Sequence, residues 1–557
     1  MQLQLLPSTS GARSLRLGET WLEDPTDPVA GATTFIRPEQ VAGADHVVLF
    51  GAGLGYRILW LKQIGVPHPI VFEPLPEILR LSRKTLPQAL DGAQAFSDHS
   101  SLLAHLRTHL QAGERMILLA PPGYQDAFQT EYQQLQACLR DAHGFAQLRR
   151  NTVNHRLVDA TEYAVRNLAA LSAVPCAERI QRPLAGCPVF IVSAGPSLDR
   201  NAHLLPEAAR RGAIFAVNTS APVVVAQGQN IDVLVTIEAL PVHETLAQVA
   251  PHTHVLAIDL SAHPSGFALP GPEAGGPCKV ALSAQQAGMA QLNAALKLQG
   301  FQSGPSVSTM ALCLARQWGA DPIVLLGQDL AFPEGRVYAA GTGREHWRAT
   351  AVGAELSLVY DEAIDALFAS NRLKPPPRKV PRLQVPAWGK GTPEHWVDST
   401  YELTWVRRWL EEAASQDKSA RRYINASEGG AAILGFEERT LASLWPELPV
   451  RAHRLMTQVQ PAQALPSARV DQARRVLGAA IRQIRDQARA YVQRKSPSGA
   501  QAQAVLQQAQ RSSLVWAHVA AELHRVQEDN TLDSVQRVRA AMQAIADSAA
   551  RLGALLQ

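Results

Sequence analysis

Twice along the chain, a short apolar run ends in a glycine-bearing turn and passes at once into a helix-like stretch: HVVLFGAGLGYRILWLKQIG from position 46 and CPVFIVSAGPSLD from position 187. A run that is apolar at every position, too short for a buried helix and bounded by glycine reads as a strand covered on both faces. Such a strand feeding directly into a helix is the first half of a βαβ unit, whose next strand must run parallel. Further runs follow each start. PIVFEP (69–74) and RMILLAPPG (115–123) belong with the first, and GAIFAVN (212–218), IDVLVTIE (231–238), HVLAIDL (254–260) and DPIVLLGQDLAF (321–332) with the second, with MALCLARQWGA (310–320) as a helix between strands. The fold class expected is therefore α/β: a Rossmann-like N-terminal domain over 1–175, a doubly wound central domain over 176–450 and a C-terminal helical bundle over 451–557.

The bundle rests on a change of composition. From position 466 the chain is rich in Ala, Gln and Arg and breaks only at SPSG (496–499) and EDNTLD (528–533). Three amphipathic helices are predicted, with Asn530 or Thr531 capping the last. The proline-rich, basic segment NRLKPPPRKVPRLQVPAWGKG (371–391) reads as extended and mobile rather than packed, a lid or a linker.

Several function classes are excluded or disfavoured at this level. At 557 residues, two to four domains are expected. A net charge of +4 and a pI near 8.8 are too small to argue for a nucleic-acid partner. The five cysteines, Cys138, Cys176, Cys187, Cys278 and Cys313, show no CxxC pair and no metal-ligand spacing, so buried thiols in a reducing compartment are expected and no metal site. The opening residues lack a cationic region followed by an apolar run, and no stretch approaches the roughly 20 apolar residues of a membrane span, so the expectation is a cytoplasmic chain without signal peptide or anchor.

Candidate chemistry gathers at strand ends. Gly51, Gly53 and Gly55, with Glu73 ending the next strand, form a nucleotide-binding arrangement: glycines admit a ligand close to the backbone and the acid can accept ribose hydroxyls, although a bare tight turn has the same look. Gly195, Pro196, Ser197 and Leu198 open a helix straight after a strand, where unpaired N–H groups suit a phosphate and Ser197 adds a hydroxyl. Asn218 and Glu238 end the next two strands, either as ligand contacts or as ordinary strand-end polar residues.

The GPSL turn followed by a strand ending in Asn218, the block GPSVSTMALCLARQWGADPIVLLGQDLAFPEGRVYAAGT (304–342) and the block RRYINASEGGAAILGFEERTL (421–441) together resemble the motility-associated factor (Maf) glycosyltransferases. Their central domain is similar to bacterial sialyltransferases. The resemblance spans roughly residues 40–445. It implies transfer of a nonulosonic acid, of pseudaminic or legionaminic type, from a cytidine monophosphate (CMP) activated donor to Ser or Thr of flagellin, with no further cofactor. It places the donor on Gly195, Pro196, Ser197, Leu198, Asn218 and the serine turn of Ser306 and Ser308, with Gln328 and Asp329 at the ligand-facing strand end and Tyr338 donating to the departing phosphate. Glu238 stands where these proteins more often carry aspartate. Asn425, Ser427, Glu428, Gly429 and Gly430 match a ligand-closing loop. The general base implied is a histidine ahead of the late helix, His395 first and His346 second, with Asp398 as the alternative base; Asp329 is the further catalytic candidate. Lys374, Arg378, Lys379 and Arg382 would steer an anionic donor. Three rivals stand beside this reading: a pyrophosphokinase like the archaeal pterin enzymes, which share the GPSLD turn; a non-catalytic flagellin-binding chaperone; and a methyltransferase built on Gly51 and Glu73.

Overall fold

The structure is a computed structural model that describes residues 2–110, 114–155, 157–241, 243–285, 288–370, 375, 377–389, 395–450, 463–494, 498–528 and 532–557. It divides into two compact units, Met1–Asn151 and Thr152–Gln557.

In the first unit, β1 (Leu3–Pro7), β2 (Arg13–Leu17) and β3 (Thr20–Trp21) form an antiparallel meander. The strands β4 (His46–Phe50), β5 (Ile70–Phe72), β6 (Gln94–Phe96) and β7 (Met116–Leu119) form a parallel sheet in the order β6-β5-β4-β7, and α1 (Tyr56–Gln63) begins directly after the glycine turn. Both faces are covered: Val48, Phe50 and Phe72 enter one core and Val47, Leu49 and Val71 the other, as the two-residue period of a strand requires.

The second unit opens with α2 (Leu157–Asn167) and is built on eight strands: β8 (Val189–Val192), β9 (Ala213–Val217), β10 (Ile231–Thr236), β11 (Thr253–Asp259), β12 (Cys278–Leu282), β13 (Ile323–Leu326), β19 (Tyr423–Asn425) and β20 (Glu437–Glu438). All pair in parallel, in the order β12-β11-β10-β9-β8-β13-β19-β20. Winding proceeds outward from β8 to β12 and then resumes on the other side of β8 with β13. The switch point lies between β8 and β13, where an open α/β sheet forms a crevice at its carboxyl edge. Ile191, Phe215 and Val233 face a core shared with α3 (Val307–Gln317), and Phe190, Ile214 and Leu234 face the opposite core with the short helices that follow β8.

Between β13 and β19 the chain makes a three-stranded antiparallel sheet of β14 (Arg348–Val352), β15 (Glu355–Val359) and β16 (Lys379–Pro381). A hairpin of β17 (Leu383–Pro386) and β18 (Trp396–Ser399) and the helix α4 (Tyr401–Gln416) follow. The proline-rich segment is thus packed where it is described, not mobile. Its apolar residues alternate with polar ones: Val380 enters a small core with Leu356 and Ala349, and Val385 enters the main core. Pro381 and Pro386 stand at strand ends, where a missing N–H costs no ladder bond. Lys374 lies outside the described residues.

Among the described residues the C-terminal region holds four helices, where three were expected: α5 (Ser467–Gln493), α6 (Gly499–Arg511), α7 (Ser513–Glu528) and α8 (Ser534–Leu555). The extra break falls at Ser512, which leaves helical geometry (φ −90°, ψ 98°) and donates its buried hydroxyl to Gln291 Oε1 at 2.7 Å. The cap of α8 is Asp533, whose carboxylate accepts from the Gln536 amide at 2.8 Å. Asn530 and Thr531 lie outside the described residues. Leu477, Ile481, Ile545 and Leu552 close this bundle against α2 residues Ala164 and Val165 in one continuous core. No described helix is long and apolar enough to cross a membrane.

Candidate functional site

At the switch point the polypeptide fastens three strand ends together. The turn after β8 presents Ser193 and Ser197, the turn after β13 presents Gln328 and Asp329, and the loop after β19 carries Ser427 and Gly430. Ser193 Oγ donates to Gln328 Oε1 at 2.6 Å, and Ser197 donates its hydroxyl to Asp329 Oδ2 at 2.6 Å and its backbone N–H to the same carboxylate at 3.2 Å. Ser427 Oγ accepts from the Gln328 amide at 3.0 Å, and the Asp329 carbonyl accepts from the Ala431 amide at 2.7 Å. Gly195 and Gly430 are glycines for want of room. A Cβ on Gly195 would stand 2.1 Å from Asp329 Oδ2, and one on Gly430, at φ +74°, would stand 2.3 Å from Asp329 Cα. Asp329 is 3 % exposed, and burial pushes its carboxyl up to about 6 against the lowering effect of the Ser197 bonds. The hollow directly above the switch point is therefore filled by the protein's own side chains. Ser197 and Asp329 are spent on each other and the Gln328 carbonyl oxygen on Ser193, and Pro196 and Leu198 are buried.

The serine turn ahead of α3 stands at the same carboxyl edge, but α3 and the helix opened by Leu198 cover opposite faces of the sheet. Ser306 is the N-cap of α3: its Oγ accepts from the Ser308 amide at 3.3 Å and its own amide donates to Thr309 Oγ1 at 3.2 Å. Buried Ser308 bonds back to Ser306 Oγ at 3.0 Å. No bond among the described residues joins this turn to the Gly195 turn, so the two do not close a crevice by direct contact.

The groups left open lie over β9 and β10. Asn218 is half-buried, and its side chain makes no hydrogen bond to a described residue. Glu238 is half-buried, and among the described residues its carboxylate accepts only from the adjacent Ala239 and Leu240 amides, at 3.0 and 3.3 Å. Above this edge runs a loop closed at its base by the pairing of Arg336 with Arg348. Ala339 donates its amide to the Ala194 carbonyl at 3.0 Å, Ala340 donates to Asp199 Oδ1 at 2.8 Å, and Arg336 pairs with Asp199. Tyr338 in this loop meets Trp347 edge-on, with centroids 5.4 Å apart.

The hairpin of β17 and β18 docks on the loop after β19. Ala387 pairs with Ala431, Trp388 donates its amide to the Gly430 carbonyl at 2.9 Å and its Nε1–H to the Asn425 carbonyl at 2.9 Å. His395 opens the second strand of this hairpin, exposed, with its carbonyl accepting from the Ala387 amide. Asp398 forms an ion pair with Arg382 at 2.7 Å, and the exposed His346 is bonded to Asp361 at 2.6 Å. Of the three base candidates at or beyond the β13 side, only the His395 ring is left without a bond to a described residue. Asn425 and Ser427 are fully buried, and Glu428, at φ +61°, receives the Arg200 guanidinium on its carbonyl.

Over its whole length the chain is similar to a solved structure described as the MAf glycosyltransferase from Magnetospirillum magneticum AMB-1, with a TM-score of 0.52, 14 % identity and 91 % of that chain covered. It has the fold of a Maf glycosyltransferase. Residues 163–335 also match the family described as MptE-like, 6-hydroxymethylpterin diphosphokinase MptE-like. That match contains the turns after β8 to β13 and stops just short of the Tyr338 loop. No curated protein matches the sequence.

The other glycine turn of this Maf-like fold, in the first unit, is occupied from within. The Ala52 amide donates to Glu73 Oε2 at 2.8 Å, the Gly53 amide to the Tyr124 hydroxyl at 2.9 Å and the Leu54 amide to Glu23 Oε1 at 2.8 Å, while Tyr124 in turn donates to Glu73 at 2.8 Å. The three successive N–H groups that would hold a phosphate already have acceptors. Glu73 is fully buried and so faces these amides rather than a ribose. Sequence reasoning reached Glu73 from its strand-end position. Glu23 and Tyr124 carry no local signal that marks them as its partners.

Two outcomes follow. Gly195→Ala is expected to destabilise the protein by about 1–3 kcal/mol through overpacking against Asp329. Gly271→Ala, with nothing within 4 Å of the new methyl, should leave the melting temperature nearly unchanged. In the first unit, burial raises both Glu73 and Glu23 from 4.5 to about 7. The folded form holds these protons more tightly than the unfolded chain, so the stability these two groups contribute is greatest below about 4.5, falls as pH rises towards about 7 and is level above. Hydrogen exchange of the 52–54 amides, corrected for intrinsic rate, should show that decline, and Glu73→Gln should flatten part of it.

Proposed function

We propose that this protein is a cytoplasmic glycosyltransferase that moves a nonulosonic acid, of pseudaminic or legionaminic type, from a CMP-activated donor to Ser or Thr side chains of flagellin. The observation that carries the reading is the Maf glycosyltransferase fold from end to end, together with open polar groups at the carboxyl edge over β9 and β10, beside a switch point that the protein's own side chains fill.

On this reading the nucleotide lies along the carboxyl edge. Asn218 and Glu238 meet its cytidine end, and the Gly195 turn contributes a rigid wall and the local helix start rather than the Ser197 hydroxyl. Ser306 and Ser308 hold the dipole of α3 at the same edge. The Tyr338 loop covers the phosphate. His395, beside the β19 loop, is the base for the acceptor hydroxyl. From β9 to β19 there are three strand spacings of about 4.8 Å, roughly 14 Å, so a donor laid across the edge would bring its sugar towards His395. The reaction breaks the bond between the anomeric carbon and the phosphate oxygen, CMP leaves with that electron pair, and the acceptor oxygen bonds to the anomeric carbon as His395 takes its proton.

The second reading, a pterin pyrophosphokinase, has the match over residues 163–335 in its favour. It leaves the Tyr338 loop, the β17–β18 hairpin and the four C-terminal helices without a role.

Incubation with flagellin and CMP-pseudaminic or CMP-legionaminic acid, read by intact-protein mass spectrometry, should add whole sugar masses to flagellin. Pyrophosphorylation of 6-hydroxymethylpterin by ATP in a parallel reaction would decide for the second reading, and flagellin binding without any turnover would decide for a chaperone. Asn218→Ala should weaken donor binding about tenfold with the melting temperature unchanged, since its side chain bonds to no described residue. Ser306→Ala should instead cost about 1 kcal/mol of stability through loss of the α3 cap.

A further inference from the structure

The loop above the carboxyl edge carries a cation that the protein has positioned and not paired. Arg344 sits in the corner formed by two aromatic rings, with its guanidinium carbon 5.7 Å from the Tyr338 centroid and 5.4 Å from the Trp347 centroid. Those rings meet at 75°, so the planar group is held against both. Arg344 is half-buried and forms no ion pair among the described residues. The nearby acid Asp361 feels the Arg344 charge, but the bonds to its oxygens come from His346 at 2.6 Å and Trp347 Nε1 at 3.3 Å.

Its neighbours are treated differently. Arg336 pairs with Asp199, Arg378 with Asp365 and Arg382 with Asp398, while Arg348 donates to the carbonyls of Glu345 and Trp347. Arg344 alone among the described arginines of this stretch keeps its donors unspent while its side chain is fixed. Ordering a long side chain costs conformational entropy, and aromatic stacking offsets that cost without using the N–H edge.

The loop's place says what the edge is for. Ala339 and Ala340 are bonded to Ala194 and Asp199 of the Gly195 turn, and a Cβ on Gly341 would stand 3.8 Å from Val223 in the helix that follows Asn218. The loop that carries Arg344 therefore lies against the turn after β8 and the helix after β9, beside the open edge over β9 and β10. A planar fork of donors matches the two oxygens of a carboxylate or phosphate.

We propose that Arg344 is the anion-recognising residue of this site, pairing through its guanidinium edge with an oxyanion of the bound nucleotide sugar. The inference rests on the donor reading given above and adds to it the residue that selects a charged donor.

The test uses the full-length chain and three probes: cytidine, CMP and CMP-N-acetylneuraminic acid, titrated calorimetrically against wild type, Arg344→Ala and Arg344→Lys. The expected result is a loss of about tenfold or more in Arg344→Ala for an anionic probe, an intermediate loss in Arg344→Lys, and cytidine affinity unchanged. Loss for both CMP and the sugar nucleotide assigns the phosphate, and loss for the sugar nucleotide alone assigns the carboxylate. Equal weakening of cytidine would show that the substitution merely disturbs the Tyr338 loop and would overturn the proposal, as would unchanged affinity for all three probes. Wild type binding none of the probes would reject the donor reading, and this inference with it.

Discussion

The second unit depends on what happens to one buried carboxylate. Asp329 accepts two bonds from Ser197, has the bare backbones of Gly195 and Gly430 pressed against it, and passes its own carbonyl to Ala431. Ser197 and Gly195 belong to the turn after β8 and Gly430 and Ala431 to the loop after β19, so β8, β13 and β19 end in a single block. A buried donor left without its acceptor costs about 1–3 kcal/mol, and here two donors share one acceptor group. The rest of the edge is organised around that block: the Tyr338 loop hangs from Ala194 and Asp199, and the β17–β18 hairpin rests on Gly430 and Asn425.

Both glycine turns end in the same way. In the first unit Glu73 and Glu23 supply the acceptors for the Ala52 and Leu54 amides; in the second, Asp329 supplies them for Ser197. A glycine turn at a strand end exposes N–H groups that demand negative charge, and a carboxylate from the same chain satisfies that demand as well as a ligand does. The motif alone therefore does not distinguish a binding site from a sealed one. The distinction lies in which acid reaches it.

That explains how much could be read from the sequence. The long strands of both sheets were legible because strands covered on both faces show unbroken apolar runs, as VFIV, AIFAV and IVLL do. The strand CKVAL, half of it polar or small, and β19 and β20, with three and two residues, carry too little pattern to be read. The proline-rich stretch misled because prolines at strand ends look like prolines in a linker. At the site, the carboxyl-edge positions of Asn218, Glu238 and Asp329 followed from strand order. The use of Ser197 did not, because its partner lies 132 residues away in sequence. Arg344 was invisible for the same reason: its meaning comes from rings and acids that the fold assembles around it.

Everything that arches over the open edge is encoded between β13 and β19, two strands that are neighbours in the sheet. The intervening stretch leaves and re-enters the framework at adjacent points, so it behaves as an exchangeable cassette. Changes in its outer part, β14 to β16, alter what the edge admits, while Val385 and the inner face of α4 (Val406, Leu410 and Ala413) stay fixed in the core against the sheet. Divergence in this architecture can thus concentrate in one contiguous block of sequence, and swapping that block between relatives is the economical route to new selectivity.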